Sequence, residues 1–189
     1  MDRLRRDYEI EVQWVYFPLH PETPGQGRSL EALFSGRGYD LDAMHQRMQA
    51  LMDDEKLPYG RRTHTYNSRF AQELASWADT QLEDDQLHGL IYRAYFAEGR
   101  NIGDPVLLAE LASRVGLSGD VALARLDARV DRGAVDADWA LSRDKGVTAV
   151  PTFVAGQHQV VGAQSETVLR RLVEAAGAVS RGSRREPTS

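Results

Sequence analysis

Gly146-Val147-Thr148-Ala149-Val150-Pro151-Thr152-Phe153-Val154 sets a proline directly ahead of a β-branched and aromatic run. Proline has no N–H to give to a sheet ladder, so within a sheet it stands at the first residue of a strand or on an edge. A Val-Pro bond running straight into Thr-Phe-Val therefore reads as a loop entering a strand. X-Pro bonds are also the peptide bonds with appreciable access to cis. Downstream, Phe153-Val154-Ala155 is a strand, Gly156-Gln157 a turn and Gln159-Val160-Val161 the returning strand, which makes a hairpin. Ser165 then caps an amphipathic helix bearing Val168, Leu169, Leu172 and Val173, with Gly177 as its C′ residue. From Ser180 the composition turns polar and reads as a disordered tail.

Upstream of this stretch the pattern is helical. Leu41, Met44, Met48, Leu51 and Met52 fall at helical spacing behind Asp40, and the three methionines read as core. Asn67 or Ser68 opens a helix with Phe70, Leu74, Trp77 and Ala78 on one face. Asp84 or Asp85 opens the next, with Leu87, Leu90, Ile91, Ala94 and Tyr95. Asp104-Pro105 is an N-cap followed by proline at the first helical position, ahead of Leu107, Leu108, Leu111, Ala112 and Val115. Ser118 or Asp120 begins a helix with Val121, Ala124, Leu126 and Val130, and a short one runs from Asp136 to Asp144. At the other end, residues 9–17 alternate polar and apolar, with Ile10, Val12 and Trp14 on one face, and read as a strand closed by Pro18, Pro21 and Pro24. A short helical turn is expected from Ser29 to Phe34.

The chain of 189 residues, 42% hydrophobic and 27% charged, is sized for one domain with an insertion. Its net charge of −5 speaks against nucleic acid as a partner. No apolar run reaches the roughly 20 residues of a membrane span, and the N-terminus has no secretory pattern, so a cytoplasmic location is expected. With no cysteine, disulfides, thiolate metal sites and a Cys nucleophile are excluded. His20, His45, His64, His88 and His158 show no metal-ligand spacing, and no cofactor or metal is expected. The runs Asp53-Asp54-Glu55 and Glu83-Asp84-Asp85 are consecutive, so their carboxylates do not face one another as an acid/base pair would need.

Several stretches, taken in order, carry a resemblance: Trp14-Val15-Tyr16-Phe17-Pro18-Leu19, Tyr66 to Leu74, Ala94 to Asp104, Leu108 to Ala112, the Val150-Pro151 loop, and Val161-Gly162-Ala163-Gln164. Together they resemble the FrnE branch of the DsbA-like thiol–disulfide oxidoreductases, over residues 4 to about 176. The resemblance implies an α/β thioredoxin-like fold with an inserted helical domain. The thioredoxin-like part would comprise 1–34 and 136–178, the insertion 35–135, and the tail 179–189. It also implies a cis-proline loop in which Val150 and Pro151 face a protein or peptide substrate. Catalysis in the family uses a Cys-x-x-Cys at the start of the first helix, where the helix N-terminus stabilises the thiolate. No residue of this chain matches that motif, so no catalytic residue is carried over.

By the same resemblance the chain begins inside the family's first helix and lacks the first strand. Strand edges at 9–17 and at the hairpin would then face a gap, each buried unpaired backbone group costing about 1–3 kcal/mol. The expectation is a native protein extending upstream of Met1. The other readings are a degraded remnant, or a shortened chain that rearranges or forms a homodimer. Three functions follow: a disulfide oxidoreductase whose redox motif is missing here, a redox-dead peptide-binding module, or a relative of the glutathione-dependent isomerases and kappa-type transferases.

Overall fold

The computed structural model describes residues 1–184. The chain forms α1 (Asp2–Asp7), β1 (Arg28–Ser29), α2 (Leu30–Phe34), α3 (Leu41–Asp54), β2 (His64–Thr65), α4 (Arg69–Ala78), α5 (Gln86–Phe96), α6 (Pro105–Arg114), α7 (Gly119–Asp127), α8 (Arg132–Asp144), β3 (Thr152–Ala155), β4 (His158–Val161) and α9 (Glu166–Ala175), then a 3₁₀ turn over Arg181–Arg184. No helix among the described residues is long and apolar enough to cross a membrane. Two compact units result: residues 18–137, and residues 1–17 together with those from 138 onward. Residues 18–34 thus belong with the helical unit, because β1 pairs antiparallel with β2, Arg28 opposite Thr65 and Ser29 opposite His64.

In the helical unit α4, α5, α6 and α7 pack together around Leu74, Leu87, Leu108 and Leu111, all fully buried. Each such side chain contributes about 1.5–3 kcal/mol of burial. The caps are those the sequence predicts. Asp40 accepts from the Ala43 N–H, Asp104 from Val106 with Pro105 behind it, and Ser118 from Val121. At α4 the cap is divided: Ser68 holds the N-cap position, while Asn67 Oδ1 accepts from the Arg69 N–H at 2.9 Å.

Three expectations fail in this unit. The methionines of α3 are not core: Met44 and Met48 are 42% and 41% exposed, and no residue of the helix is buried. Among the described residues no second layer covers that face, so periodicity located the stripe without supplying a partner. On α7 the buried pair is Ala122 and Leu126, while Val121 is exposed and Val130, also exposed, lies beyond the helix's end at Asp127. The close α6–α7 packing takes the small Ala122 in place of the larger valine. Helix α8 begins at Arg132, a turn before the expected Asp136.

In the other unit, Leu4, Tyr8 and Val173 form a small core, with Ile10, Leu169 and Ala178 packed against it. The strand expected at 9–17 does not form. Tyr8 makes an isolated bridge to Ser180, and Glu9 N–H donates to Val179 O at 2.8 Å, but no ladder follows. Side-chain alternation survives, with Val12, Trp14 and Tyr16 half-buried and Glu11, Gln13 and Val15 exposed. The backbone finds side chains instead: Tyr16 N–H donates to Asp138 Oδ2 at 3.1 Å, and Ser142 Oγ donates to Tyr16 O at 3.1 Å. Both partners lie on α8, one turn apart. Residues 179–184, expected within the disordered tail, are held by the Tyr8 bridge and by Arg181 Nε donating to Tyr8 O at 3.1 Å. The rest of that expected tail, 185–189, lies outside the described residues.

Candidate functional site

The Val150–Pro151 loop is set between a closed helix end and a hairpin. Helix α8 stops at Gly146, whose φ of +67° a residue with a side chain adopts only with strain. Gly146 N–H donates to Arg143 O and Val147 N–H to Ser142 O, both at 2.9 Å, which is the paired closure of a Schellman end. The chain then crosses 147–151 and enters β3. The Val150–Pro151 peptide bond is cis.

β3 and β4 pair antiparallel with Thr152 opposite Val161, Phe153 opposite Val160, Val154 opposite Gln159 and Ala155 opposite His158. Gly162 N–H donates to Pro151 O at 2.7 Å, extending the ladder by one bond. Proline returns none. Two side chains brace the ends: Thr152 Oγ1 donates to Ala149 O and Gln164 Nε2 to Val161 O, each at 2.6 Å. Helix α9, capped by Ser165 accepting from Val168 N–H, packs on both strands.

Antiparallel residues alternate between those that exchange hydrogen bonds with the partner strand and those that point away from it. Pro151 O bonds inward to Gly162, so Thr152 and Val154 aim their backbone groups at the outer edge of β3. That edge has no neighbouring strand among the described residues. Val150 extends it: the residue is 43% exposed, and neither its N–H nor its C=O meets a hydrogen-bond partner among the described residues. Val154 and Val161 are likewise exposed. From Gly146 to Gln157 the chain carries no titratable side chain. The stretch offers backbone donors and acceptors flanked by apolar side chains, which is chemistry for holding an extended chain rather than for proton transfer or nucleophilic attack.

A cluster of titratable groups lies elsewhere in this unit, between α1 and α9. Arg170 is hydrogen-bonded to Asp7 and to Glu166, and these carboxylates hold its guanidinium above its ordinary value. Hydrogen bonds from Arg170 and then Arg6 hold Asp7 below the usual carboxylate range. The Tyr8 hydroxyl donates to Glu174, which raises it and keeps the phenol protonated. Every member is paired, so the cluster is a clasp joining α1 to α9.

Among the described residues no group of three His, Asp or Glu side chains could hold a metal ion. Four of the five histidines have individual partners instead. His88, buried, meets Asp79 at 2.8 Å; His20 faces Glu22; His64 Nδ1 meets Thr63 Oγ1 at 2.9 Å; His45 stacks on Tyr59. The sequence pointed to nothing around His45, because Arg61 and Arg62 come beside it only in the fold.

Residues 1–174 match the DSBA-like thioredoxin domain. The YwbO protein of Bacillus subtilis (strain 168) is 27% identical over 169 residues, spanning 87% of this chain and 82% of its own length. The structure of a probable DsbA oxidoreductase, SCO1869 of Streptomyces coelicolor, superposes with a TM-score of 0.71 at 26% identity, covering 89% of this chain and 74% of that one. A Nitrosomonas europaea protein assigned as a protein disulfide isomerase shares the fold at a TM-score of 0.60 and 13% identity, over 71% of this chain and 72% of the other. The α/β thioredoxin-like architecture with a helical insertion is therefore the fold of this protein, and the chain belongs to the DsbA-like thioredoxin domain family.

Proposed function

We propose that this chain is a FrnE-branch member of its family, cytoplasmic, that binds extended protein or peptide segments along Val150, Pro151 and the outer edge of β3. With no cysteine in the sequence, it supplies no thiol of its own to disulfide exchange. The observation that carries the reading is Val150: an exposed residue with both backbone groups unpartnered, at the head of an open strand edge. An added strand gains affinity from main-chain hydrogen bonds and selectivity from alternate side chains. Here the exposed Val150 and Val154 favour apolar residues in the guest. The same edge would accept β3 of a second copy, and a homodimer would then compete with the guest.

The test is fluorescence anisotropy of labelled extended peptides with alternating valine, read beside size-exclusion chromatography at the same concentrations. Binding that falls at least tenfold in Val150→Asp and in Pro151→Ala, with circular dichroism unchanged, supports the reading. Equal binding by both variants overturns it. Insulin reduction by the chain as given is expected to be nil, and thiol-dependent turnover would contradict the reading. Intact-mass analysis of the native protein establishes whether a Cys-x-x-Cys segment accompanies this sequence in the cell.

A further inference from the structure

The helical unit contains a second feature that the peptide-binding reading leaves unused. A cavity of about 230 Å³ is walled by α2, α3 and the segment leading into β2, with Leu33, Phe34, Met44 and Met48 among its apolar lining. Two polar side chains of that lining are unusual. His45 stacks on Tyr59 with ring centroids 5.4 Å apart, and its Nδ1 is buried without a hydrogen-bond partner. Arg62 lies over the rings of Tyr95 and Phe96, at 4.5 and 4.8 Å, and its Nε is buried without a partner.

The accessible atoms follow by elimination. Neither side chain makes any hydrogen bond or ion pair among the described residues, and neither His45 Nε2 nor the Arg62 terminal nitrogens belong to the buried orphans. These nitrogens therefore reach solvent. Orphaned buried N–H groups are rarer than orphaned acceptors, which favours the tautomer with Nδ1 bare and the proton on Nε2. Arg62 adds a guanidinium with no carboxylate on it. Its neighbour Arg61 is spent on Asp42, and His20 faces Glu22. Among the described residues the opposing charge in the lining is Glu31, an exposed residue.

We propose that this cavity binds a small aliphatic carboxylate, its carboxyl group on the Arg62 guanidinium and His45 Nε2–H and its chain along Met44 and Met48. Arginine's planar fork matches a carboxylate. The volume lies below the roughly 300–1,000 Å³ of sites for drug-sized ligands, which selects a small occupant. Methionine side chains are unbranched and polarizable, and they adapt to a flexible alkyl chain. This also gives the exposed α3 methionines an occupant.

The experiment is titration calorimetry of the full chain with octanoate, octanol and octylamine, with ¹H–¹³C spectra of the methionine methyls locating the site. Octanoate is expected to bind at least tenfold more tightly than octanol or octylamine and to shift Met44 and Met48. Arg62→Gln should weaken octanoate tenfold and leave octanol unchanged. Should Arg62→Gln not fold, Glu31→Gln serves instead: removing the opposing charge should tighten octanoate severalfold. The proposal is overturned if octanoate binds no better than octanol, if octylamine binds best, if the shifts fall outside the cavity, or if neither substitution moves octanoate affinity.

Discussion

The hydroxyl of Ser142 donates to the carbonyl oxygen of Tyr16 across 3.1 Å, at a site where Ser142 is only 4% exposed. Four residues back along α8, Asp138 accepts the Tyr16 N–H. One helix face thus supplies both the donor and the acceptor that a neighbouring strand would give this residue. Losing the hydroxyl should cost about 1 kcal/mol in Ser142→Ala, and losing the charged acceptor in Asp138→Ala about 1.5–3 kcal/mol. Because both pin the same residue, their effects should not add. Urea denaturation of the two single variants and the double variant should show the double falling short of the sum by at least about 0.5 kcal/mol. Full additivity would mean that the two bonds act independently.

Glu73 is 1% exposed and carries three charge-assisted hydrogen bonds: two from Arg129, at 2.8 and 2.6 Å, and one from Arg69. Burial pushes its carboxyl upward, but the hydrogen bonds from Arg129 and Arg69 outweigh it and hold the group below its ordinary value of 4.5. The sign of the pH dependence follows. A carboxyl lowered in the folded state stabilises fully above its unfolded value and loses that stabilisation as pH falls through its folded value. Wild type should therefore lose stability as pH drops below about 4.5, and Glu73→Gln should flatten that part of the profile. Near neutral pH the cost of Glu73→Gln should fall below the roughly 3–5 kcal/mol of a fully buried broken pair, because Arg69 keeps Asp136 and Arg129 is 37% exposed. Thermal melts of both proteins across pH 3–7 check it, and parallel profiles would refute the assignment.

Two asparagines from the stretches that carried the family resemblance hold down the loop after Phe17. Asn67 Nδ2 donates to Pro21 O and Thr23 O, both at 3.0 Å, while Asn101 Nδ2 donates to Gly25 O at 2.9 Å. Each also turns its Oδ1 to a backbone N–H two residues on, Arg69 for Asn67 and Gly103 for Asn101. Asn67→Ala removes the clasp and a cap together. It should destabilise by about 3 kcal/mol, from three lost bonds of about 1 kcal/mol each. Asn67→Asp keeps the acceptor and loses the two donors, so it should recover part of that loss. Amide exchange at residues 21–27 should speed up in both variants.

How far the sequence carried the fold depends on where each signal is written. Asp40, Asp104-Pro105, Ser118 and Ser165 stated their caps locally, and the structure uses all four. Val150 and Pro151 fall in the expected loop at the entrance to the hairpin for the same reason: proline's missing donor is a local fact. The segment 9–17 was misread because period-two alternation reports an extended chain with one face covered, not what its backbone bonds to. Its partners, Asp138 and Ser142, lie more than 120 residues away. The α3 methionines failed likewise, since an apolar stripe does not say whether anything packs on it. His45 and Arg62 were illegible as a pair. Neither motif nor spacing joins them, and only the fold brings the α3 histidine and the Arg62 guanidinium into one cavity lining.

Gly60 stands at the entry to that lining, between Tyr59 and Arg61, and its N–H donates to Phe96 O at 2.9 Å. A Cβ on Gly60 would lie 2.2 Å from the Ala97 carbonyl oxygen, which is backbone and cannot swing aside. Gly60→Ala must therefore push the segment away from the end of α5, at about the 1–3 kcal/mol of overpacking. The bond to Phe96 would go with it. Gly25 is the control: a Cβ there meets nothing within 4 Å and its φ is not in the left-handed region. Gly25→Ala should be neutral, or stabilising by about 0.4–1 kcal/mol through the unfolded chain. The displacement at Gly60 should also disturb the stacking of Arg62, two residues on, over Tyr95 and Phe96. Gly60→Ala should then also reduce octanoate affinity while the protein is still folded, and Gly25→Ala should not. Denaturation midpoints and calorimetry on this pair separate a close backbone approach from a loop glycine kept for flexibility, and equal stability of the two variants would show that the approach at Gly60 is not obligatory.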